Sequence, residues 1–251
     1  MTDDGWDALA REFDLWRAQG MTARLWLRDD DAIEPTPALE QLVGLARRWQ
    51  APILLAIIPA SATPALARRL ENEPLITPCQ HGFIHANHAD AGTKKSEFGP
   101  QRPLSAAVAD LRQGSRHLAA LFGARAAQVF VPPWNRIAPE TAAALPVLGF
   151  TTLSAFGPPR GASAGLAEIN CDLDIIDWHN GRRCVPHAIL NGRLAALLAL
   201  ARVSGGGATG ILTHHLAQDP TAWDWLEKLM QCALHHSCVR WAAATEVVKT
   251  N

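Results

Sequence analysis

Short apolar segments with the composition of buried strands alternate with helical segments about seven times along this chain. The run at 52–58 is continuously apolar and rich in Ile and Leu, which is typical of a strand buried on both faces. Residues 104–122 and 187–203 have the length and apolar spacing of helices. This alternation predicts parallel strands joined by crossover helices, and therefore an α/β fold.

Unusual polar and aromatic side chains stand where the predicted strands end. In a parallel α/β barrel, the carboxyl ends of the strands form the rim on which active sites are built. The chain has 251 residues, a length that α/β barrels commonly reach as one domain, and we find no repeat or linker that divides it. We therefore predict a single barrel domain over residues 1–251. The strand-end residues are Asp29, Asp30, Asp31, His81, Trp134, Asn135, Asp177, Trp178 and His214.

Composition excludes several classes of function. The net charge of −1 and a pI near 6.8 lack the basic character of a nucleic-acid-binding protein. The longest apolar stretch, 51–60, contains two prolines and is too short to span a membrane. The acidic N-terminus does not resemble a signal peptide, and the five cysteines form no C-x-x-C pair. We expect a cytoplasmic protein with reduced thiols, a small-molecule or saccharide substrate, and neither a nucleic-acid nor a membrane partner; the sequence does not predict an oligomeric state.

Two histidines four residues apart, His81 and His85, follow one predicted strand, and the acidic triplet 29–31 follows the strand predicted at 24–28. Two imidazoles and a carboxylate are the ligands of a catalytic divalent metal site with open positions for water and substrate. Zinc suits such ligands best, although cobalt, nickel, manganese and iron accept them. The alternatives are two surface histidines and a solvated acidic turn that caps a helix. Strand alternation turns Arg28 away from Asp29, so we interpret it as a partner for another nearby acid.

Five short segments, taken in order, resemble the motifs of the polysaccharide deacetylase family, which has the NodB homology domain and is carbohydrate esterase family 4-like. The resemblance covers residues 27–214 and implies a distorted (β/α)7 barrel of the glycoside hydrolase/deacetylase type. The segments are Leu-Arg-Asp-Asp-Asp-Ala at 27–32, His-Gly-Phe-Ile-His at 81–85, Phe-Val-Pro-Pro-Trp-Asn at 130–135, Asp-Trp at 177–178 and Ile-Leu-Thr-His at 211–214.

The resemblance also implies roles for individual residues. Asp30 would be the general base, and Asp31, His81 and His85 would hold the metal. His214 would be the general acid. Substrate contacts would come from the third and fourth motifs, whose aromatic rings can stack on a sugar face. The implied substrate-binding residues are Pro133, Trp134, Asp177 and Trp178.

Three features of the sequence leave alternatives open. The aspartate pair could be Asp29 with Asp30 instead of Asp30 with Asp31. Val131 stands where the family has an arginine that orients the base, and Arg136 is a candidate substitute. His215 stands where an aspartate is usual, and we interpret it as structural because it points away from the neighbouring catalytic position.

The predicted function is a metal-dependent hydrolase that removes acetyl (acyl) groups from an N- or O-acetylated sugar or a related small amide. One alternative is a hydrolase of the same fold that acts on another non-peptide C–N bond, such as a ureide or cyclic amide. A second is a non-catalytic carbohydrate-binding protein. Lys94 and Lys95 lie in the longest predicted loop, either as solvated residues or as a lid over an anionic substrate.

Overall fold

The computed structural model describes residues 4–159, 161 and 165–248, so the ends of the predicted 1–251 domain lie outside the described residues. A curled sheet of parallel strands forms its centre. The first strand was predicted to stop before the acidic triplet, but it continues through the triplet because the backbone there still pairs with both neighbouring strands. The strands are β1 (Ala23–Ala32), β2 (Ile53–Ile57), β3 (Ile76–His81), β4 (Val129–Val131), β5 (Thr152–Leu153), β6 (Ala167–Glu168), β7 (Leu173–Asp174), β8 (Ile176–Asp177), β9 (Arg183–Cys184), β10 (Ala208–Thr213) and β11 (Val239–Trp241).

Helices connect these strands and cover the outside of the sheet. The two long helices predicted at 104–122 and 187–203 are confirmed. Several of the others begin with a proline after a capping side chain, as at Thr36, whose hydroxyl accepts a hydrogen bond from the first turn. No helix in the described part of the chain is long and apolar enough to cross a membrane. The helices are α1 (Trp6–Ala18), α2 (Pro37–Trp49), α3 (Pro64–Leu70), α4 (Leu104–Phe122), α5 (Pro139–Ala144), α6 (His187–Val203), α7 (Pro220–Leu234) and α8 (Ala244–Val247).

The strands of the main sheet follow the order β6-β5-β4-β3-β2-β1-β10-β7, and β11 pairs with the start of β1. One extended segment, 167–174, pairs with β5 at its beginning and with β10 at its end. Between these pairings, the Cys171 amide donates to the Ala155 carbonyl, and the Asp172 amide donates to the Gly210 carbonyl. The segment thereby closes the sheet into a barrel. Counted as one strand beside β1 to β5 and β10, it completes the seven positions of the predicted distorted (β/α)7 barrel.

Strand alternation divides the apolar residues into two cores. On β2, Ile53 and Leu55 face the helices, whereas Leu54 and Ala56 belong to a separate cluster in the barrel interior. Trp26 of β1 fills that interior and is 1% exposed. The barrel is therefore a packed core below its rim, and most of the polar side chains described below lie near the strand ends.

Candidate active site

The three consecutive aspartates of β1 have three different environments. Asp30 lies on the interior side of the barrel with Arg28, two residues earlier on the same strand. Asp29 faces the opposite side. Asp31 has a left-handed backbone with φ 76°, at the point where the register between β1 and β2 shifts. This bulge turns the third carboxylate toward the cavity instead of returning it to the outer face.

Arg28 is fully buried and holds Asp30 in a bidentate ion pair. Its Nε donates to Oδ1 at 2.9 Å and its Nη2 to Oδ2 at 3.0 Å. The remaining guanidinium donors reach the Ser154 carbonyl and hydroxyl, the Ala155 carbonyl and the Asn135 side-chain oxygen. A buried charge is tolerated only when it is paired and hydrogen-bonded, and both conditions are met here. The Asp30 carboxylate is therefore fixed in orientation from below.

Arg28, and not Arg136, supplies the guanidinium next to the predicted base. Val131, at the position of the family arginine, packs in the interior core instead. Arg136 is turned toward the long loop, where it donates to the Lys95 carbonyl at 2.8 Å. The suggestion that Arg136 substitutes for the missing arginine is therefore wrong, and the reason is geometric: the space beneath Asp30 is already filled from β1.

Asp29 is engaged outside the cavity. Its carboxylate accepts hydrogen bonds from the Thr213 hydroxyl at 2.7 Å and from the His215 amide at 2.9 Å, and it pairs with His215 Nδ1. Burial alone lowers the pKa of His215, but the Asp29 carboxylate outweighs this effect and raises that pKa. His215 thus lies away from the cavity, as predicted. Because Asp29 is committed to this contact, the geometry favours Asp30 and Asp31 as the functional pair.

Asp31, His81 and His85 converge on one point, and their donor atoms lie within 4.8 Å of one another. Asp31 Oδ1 is 3.1 Å from His81 Nε2 and 3.4 Å from His85 Nε2. His81 Nδ1 lies 3.1 Å from the Val131 carbonyl, an acceptor, so we assign its proton to Nδ1. With the proton on Nδ1, His81 Nε2 directs a lone pair at the buried Asp31 Oδ1. Two lone pairs at this distance are stabilised by a cation shared between them, either a proton on Nε2 or a divalent metal.

The electrostatics of these groups suit metal binding. Burial opposes ionisation of Asp31, but the hydrogen bond and charge of His81 lower the pKa of Asp31 well below its usual range. Burial, followed by the neighbouring His81, lowers the pKa of His85. Burial likewise lowers the pKa of His81, but the Asp30 and Asp31 carboxylates outweigh it and raise that pKa. Ionised Asp31 and neutral His85 are therefore preset as ligands at neutral pH, and a bound cation would compete with a proton at His81.

A buried glutamate that the sequence analysis overlooked shapes the turn carrying the two histidines. Glu97 is 0% exposed and accepts hydrogen bonds from the Phe83 amide at 3.1 Å and the Ile84 amide at 2.9 Å. Gly82 has φ 58°, and a Cβ there would lie 2.1 Å from the Glu97 carboxylate. The close approach of this turn to Glu97 therefore requires glycine at position 82. Nothing in the local sequence around Glu97 indicates this role, because the contact spans a loop.

Glu97→Gln is expected to weaken divalent-metal binding by about 10–100-fold, the usual effect of removing support behind metal ligands. Glutamine has only one side-chain oxygen for the two amides and places an NH₂ group against the second. Competition with a chromogenic chelator would measure the affinity. Glu71→Gln, at an exposed glutamate, is the matched control. An unchanged metal affinity in Glu97→Gln, with the fold intact by circular dichroism, would show that the turn holds its shape without this carboxylate.

A cavity of about 950 Å³ opens above these groups at the barrel rim. Asp31, His85, Trp134 and Asn135 line it, and all four have left-handed backbone conformations, which non-glycine residues rarely adopt. Such conformations persist only where the surrounding structure enforces them, and they concentrate at functional sites. The cavity is lined by Asp30, Asp31, His81, His85, Lys94, Lys95, Trp134, Asn135, Arg136, Phe156, Asp174, Trp178, His179, Arg182 and His214.

His214 enters this cavity from the end of β10. Its Nε2 lies 3.9 Å from Asp30 Oδ2, and its ring meets Trp178 edge-on with centroids 4.6 Å apart. Trp178 is fixed in turn, because its Nε1 donates to Asp174 Oδ2 at 2.8 Å. Asp174 is the last residue of β7, and burial raises its pKa. Asp174 is not among the residues predicted from the sequence, although it lies at a strand end like the others.

The predicted substrate contacts divide into two groups. Trp134 and Trp178 line the cavity, and the Trp134 ring lies 4.4 Å from the ring of His85, centroid to centroid. Pro133 is buried against the turn at Gly82 and is not among the cavity-lining residues. Asp177 also lies outside the lining and caps the following turn by accepting hydrogen bonds from its backbone amides. The two tryptophans are thus brought to the site, whereas Pro133 and Asp177 support it.

No family model and no curated protein sequence matches this chain. Solved structures do. A putative polysaccharide deacetylase from Mycobacterium smegmatis superposes with a TM-score of 0.68 at 16% identity, over 92% of this chain and 90% of the other. A family 4 carbohydrate esterase from Streptomyces lividans, in complex with acetate, superposes with a TM-score of 0.57 at 17% identity, over 86% of this chain and 90% of the other.

A family 4 acetyl xylan esterase from Clostridium thermocellum, in complex with a cobalt ion, gives a TM-score of 0.54 at 12% identity, over 90% of this chain and 91% of the other. The similarity in all three cases extends over nearly the whole chain at identities too low for sequence comparison to detect. The chain therefore has the fold of the polysaccharide deacetylases of carbohydrate esterase family 4, whose motifs its sequence resembles.

Proposed function

We propose that this protein is a metal-dependent hydrolase that removes acetyl (acyl) groups from an N- or O-acetylated sugar or a related small amide. The observation that carries the proposal is the convergence of the Asp31, His81 and His85 donor atoms beside a second, separately held carboxylate, Asp30, in one cavity. The imidazole of His214 faces the same cavity. A metal site, a fixed carboxylate and an imidazole are the parts that metal-assisted acyl hydrolysis requires.

Asp31, His81 and His85 would hold the ion. Two nitrogens and one oxygen suit zinc best, and cobalt, nickel, manganese and iron accept the same set. The cobalt in the Clostridium thermocellum esterase supports a divalent metal in a site of this fold. When bound, such an ion supplies Lewis acidity, which lowers the pKa of water from ~15.7 toward ~7 and polarises the acyl carbonyl.

The chain's own residues would move the protons. Asp30 accepts the proton of the attacking water, and its ion pair with Arg28 fixes the orientation of its carboxylate. His214, as an imidazolium, donates a proton to the leaving amine, which leaves poorly as an anion. Acid and base must hold opposite proton states at one pH, so their surroundings must differ. Asp30 is paired with a guanidinium, whereas the ring of His214 contacts Trp178.

The substrate class follows from the cavity walls and the fold. Trp134 and Trp178 offer rings for stacking on a saccharide. The solved structures of this fold include carbohydrate esterases and polysaccharide deacetylases, which supports an acetylated sugar. A valine at position 131, in place of the family arginine, would by itself favour a drift toward another C–N bond, as in a ureide or cyclic amide. Arg28 supplies a guanidinium to Asp30 and so offsets the loss of that arginine. We propose a cytoplasmic saccharide precursor or glycoconjugate as the substrate.

The first test is the metal content of the purified protein. We expect about one divalent ion per chain, lost in His81→Ala, because removal of one of three protein ligands leaves the site incomplete. His117→Ala, at an exposed histidine of α4, is the matched control and should retain the ion. Acetate release from a panel of N- and O-acetylated sugars would then be assayed. If neither wild type nor His117→Ala holds metal after reloading, the proposed hydrolase mechanism is wrong.

A further inference from the structure

Four cationic side chains line the mouth of the candidate active site. They are Lys94, Lys95, Arg136 and Arg182, referred to below as the cationic rim. Across the described residues, no carboxylate lies within ion-pairing distance of any of them. The chain carries a net charge of −1, so this concentration of positive charge does not reflect a generally basic protein. Most other arginines that contact a side chain do meet an acid, as Arg47 and Arg69 meet Glu73.

The acids inside the cavity do not neutralise the cationic rim. Asp30 is bound by Arg28, and Asp31 lies between the two metal-site histidines. The Asp174 carboxylate is buried and accepts hydrogen bonds from the Ile176 amide and the Trp178 indole. Asp30 and Asp174 thus have their own partners, and Asp31 is directed at the metal-site histidines, so the positive charge at the mouth remains available to a ligand.

Local contacts hold the rim in place. Arg136 donates to the Lys95 carbonyl at 2.8 Å, which ties the long loop to the residue following the third motif. The Lys95 ammonium lies 6.0 Å from the centre of the Trp134 ring, at the limit of a cation–π contact. The Trp134 ring itself lies beside His85. The Trp134 ring is therefore in contact with His85 and close to the Lys95 ammonium.

A second loop contributes Arg182. This residue stands in the turn between β8 and β9 with a left-handed backbone, φ 53°. The same turn follows Trp178, which contacts His214. Cations therefore approach the cavity from the side of the metal-site histidines, where Lys94, Lys95 and Arg136 lie, and from the side of the proposed acid, where Arg182 lies. A ligand bound at the reacting centre would meet a positive group in either direction.

We propose that the cationic rim recognises an anionic group on the substrate, so that the preferred substrate is an acetylated sugar carrying a phosphate ester or a carboxylate. This inference rests on the proposed function for the identity of the reacting acetyl group. Guanidinium groups bind phosphate and carboxylate through paired hydrogen bonds, and ammonium groups add charge. The cavity volume of about 950 Å³ falls in the range of ordinary ligand sites. It accommodates a sugar of this kind.

Binding is measured first, with probes that cannot react. Calorimetry compares glucose with its 1- and 6-phosphates and with glucuronate. We expect the charged probes to bind about tenfold more tightly or better, which corresponds to a few weak surface ion pairs. The advantage should fall as salt is raised, since exposed charges are screened. A gain for the phosphates alone, or for glucuronate alone, would identify which anion the rim recognises.

Variants then assign the effect to the rim. Lys95→Gln and Arg182→Gln, one from each loop, should each reduce the preference for the charged probe. Lys228→Gln, at a lysine of α7 that pairs with Asp224, and Arg240→Gln, paired with Glu246, are the matched controls and should leave it unchanged. Equal binding of charged and neutral probes by the wild type, or an undiminished preference in both rim variants, would overturn the inference.

Turnover separates this inference from the proposed function. Acetate release is compared for N-acetylglucosamine, its 1- and 6-phosphates and N-acetylmuramic acid, which carries a carboxylate. Faster release from the anionic sugars supports both proposals. Release without any preference for charge would support the proposed hydrolase and contradict the anionic substrate. Tight, salt-sensitive binding of the charged probes, without acetate release from any of the acetylated sugars, would support the rim as a binding site and contradict the proposed hydrolase.

Discussion

Arg28→Met is expected to lower the free energy of unfolding by about 3–5 kcal/mol, the range observed when one partner of a buried ion pair is removed. Methionine fills much of the volume but leaves the buried Asp30 carboxylate without the two hydrogen bonds that Arg28 donates. Activity should fall as well, because the carboxylate loses the group that orients it. Chemical denaturation measures the stability, and acetate release measures the activity. Arg116→Met, at an exposed arginine of α4, is the control and should change neither.

The double variant Arg28→Met/Asp30→Asn gives this prediction a sharper form. Removal of both charges leaves no unpaired ion in the barrel, so the double variant should be more stable than Arg28→Met alone. It should nevertheless remain inactive, since it lacks the base. Losses of stability that simply add would show that the two side chains act independently, which is inconsistent with a bidentate pair.

Asp30→Asn is expected to lower kcat by about 10²–10⁴-fold, the usual contribution of a general base. Asparagine keeps the shape of the side chain but cannot accept a proton from water. The bound metal should remain, because Asp30 is not one of the three converging ligands. Metal content and acetate release are therefore measured on the same sample, with Asp14→Asn on the surface of α1 as the control. Full activity in Asp30→Asn would exclude this residue as the base, and loss of the metal together with activity would make it a ligand.

The sequence predicted the parts of the site that lie where strands end. The alternation of apolar and helical segments indicated a parallel barrel, and the spacing of His81 and His85 indicated a pair of ligands. Strand alternation also separated Arg28 from Asp29 correctly. These features are local, since each depends on a few consecutive residues and the period of one element.

The remaining features depend on contacts between distant parts of the chain. Arg28 is stabilised by Ser154 and Asn135, more than a hundred residues away, and no local pattern predicts that they meet. Glu97 reaches the histidine turn across a loop. Asp174 follows a strand of only two residues, too short to show a period of its own. The register of the strands and the closure of the barrel bring these groups together. Neither can be predicted from the local patterns of a single sequence.

The pairing of Arg28 with Asp30 has a consequence for how relatives of this chain are recognised. Both residues belong to one strand, two positions apart, so the pleat of β1 places them on the same face. A single ten-residue strand therefore carries the proposed base and the cation that orients it. We therefore expect an aliphatic residue at the position of Val131 to be compatible with activity in homologues whose first strand carries an arginine and an aspartate at the positions of Arg28 and Asp30.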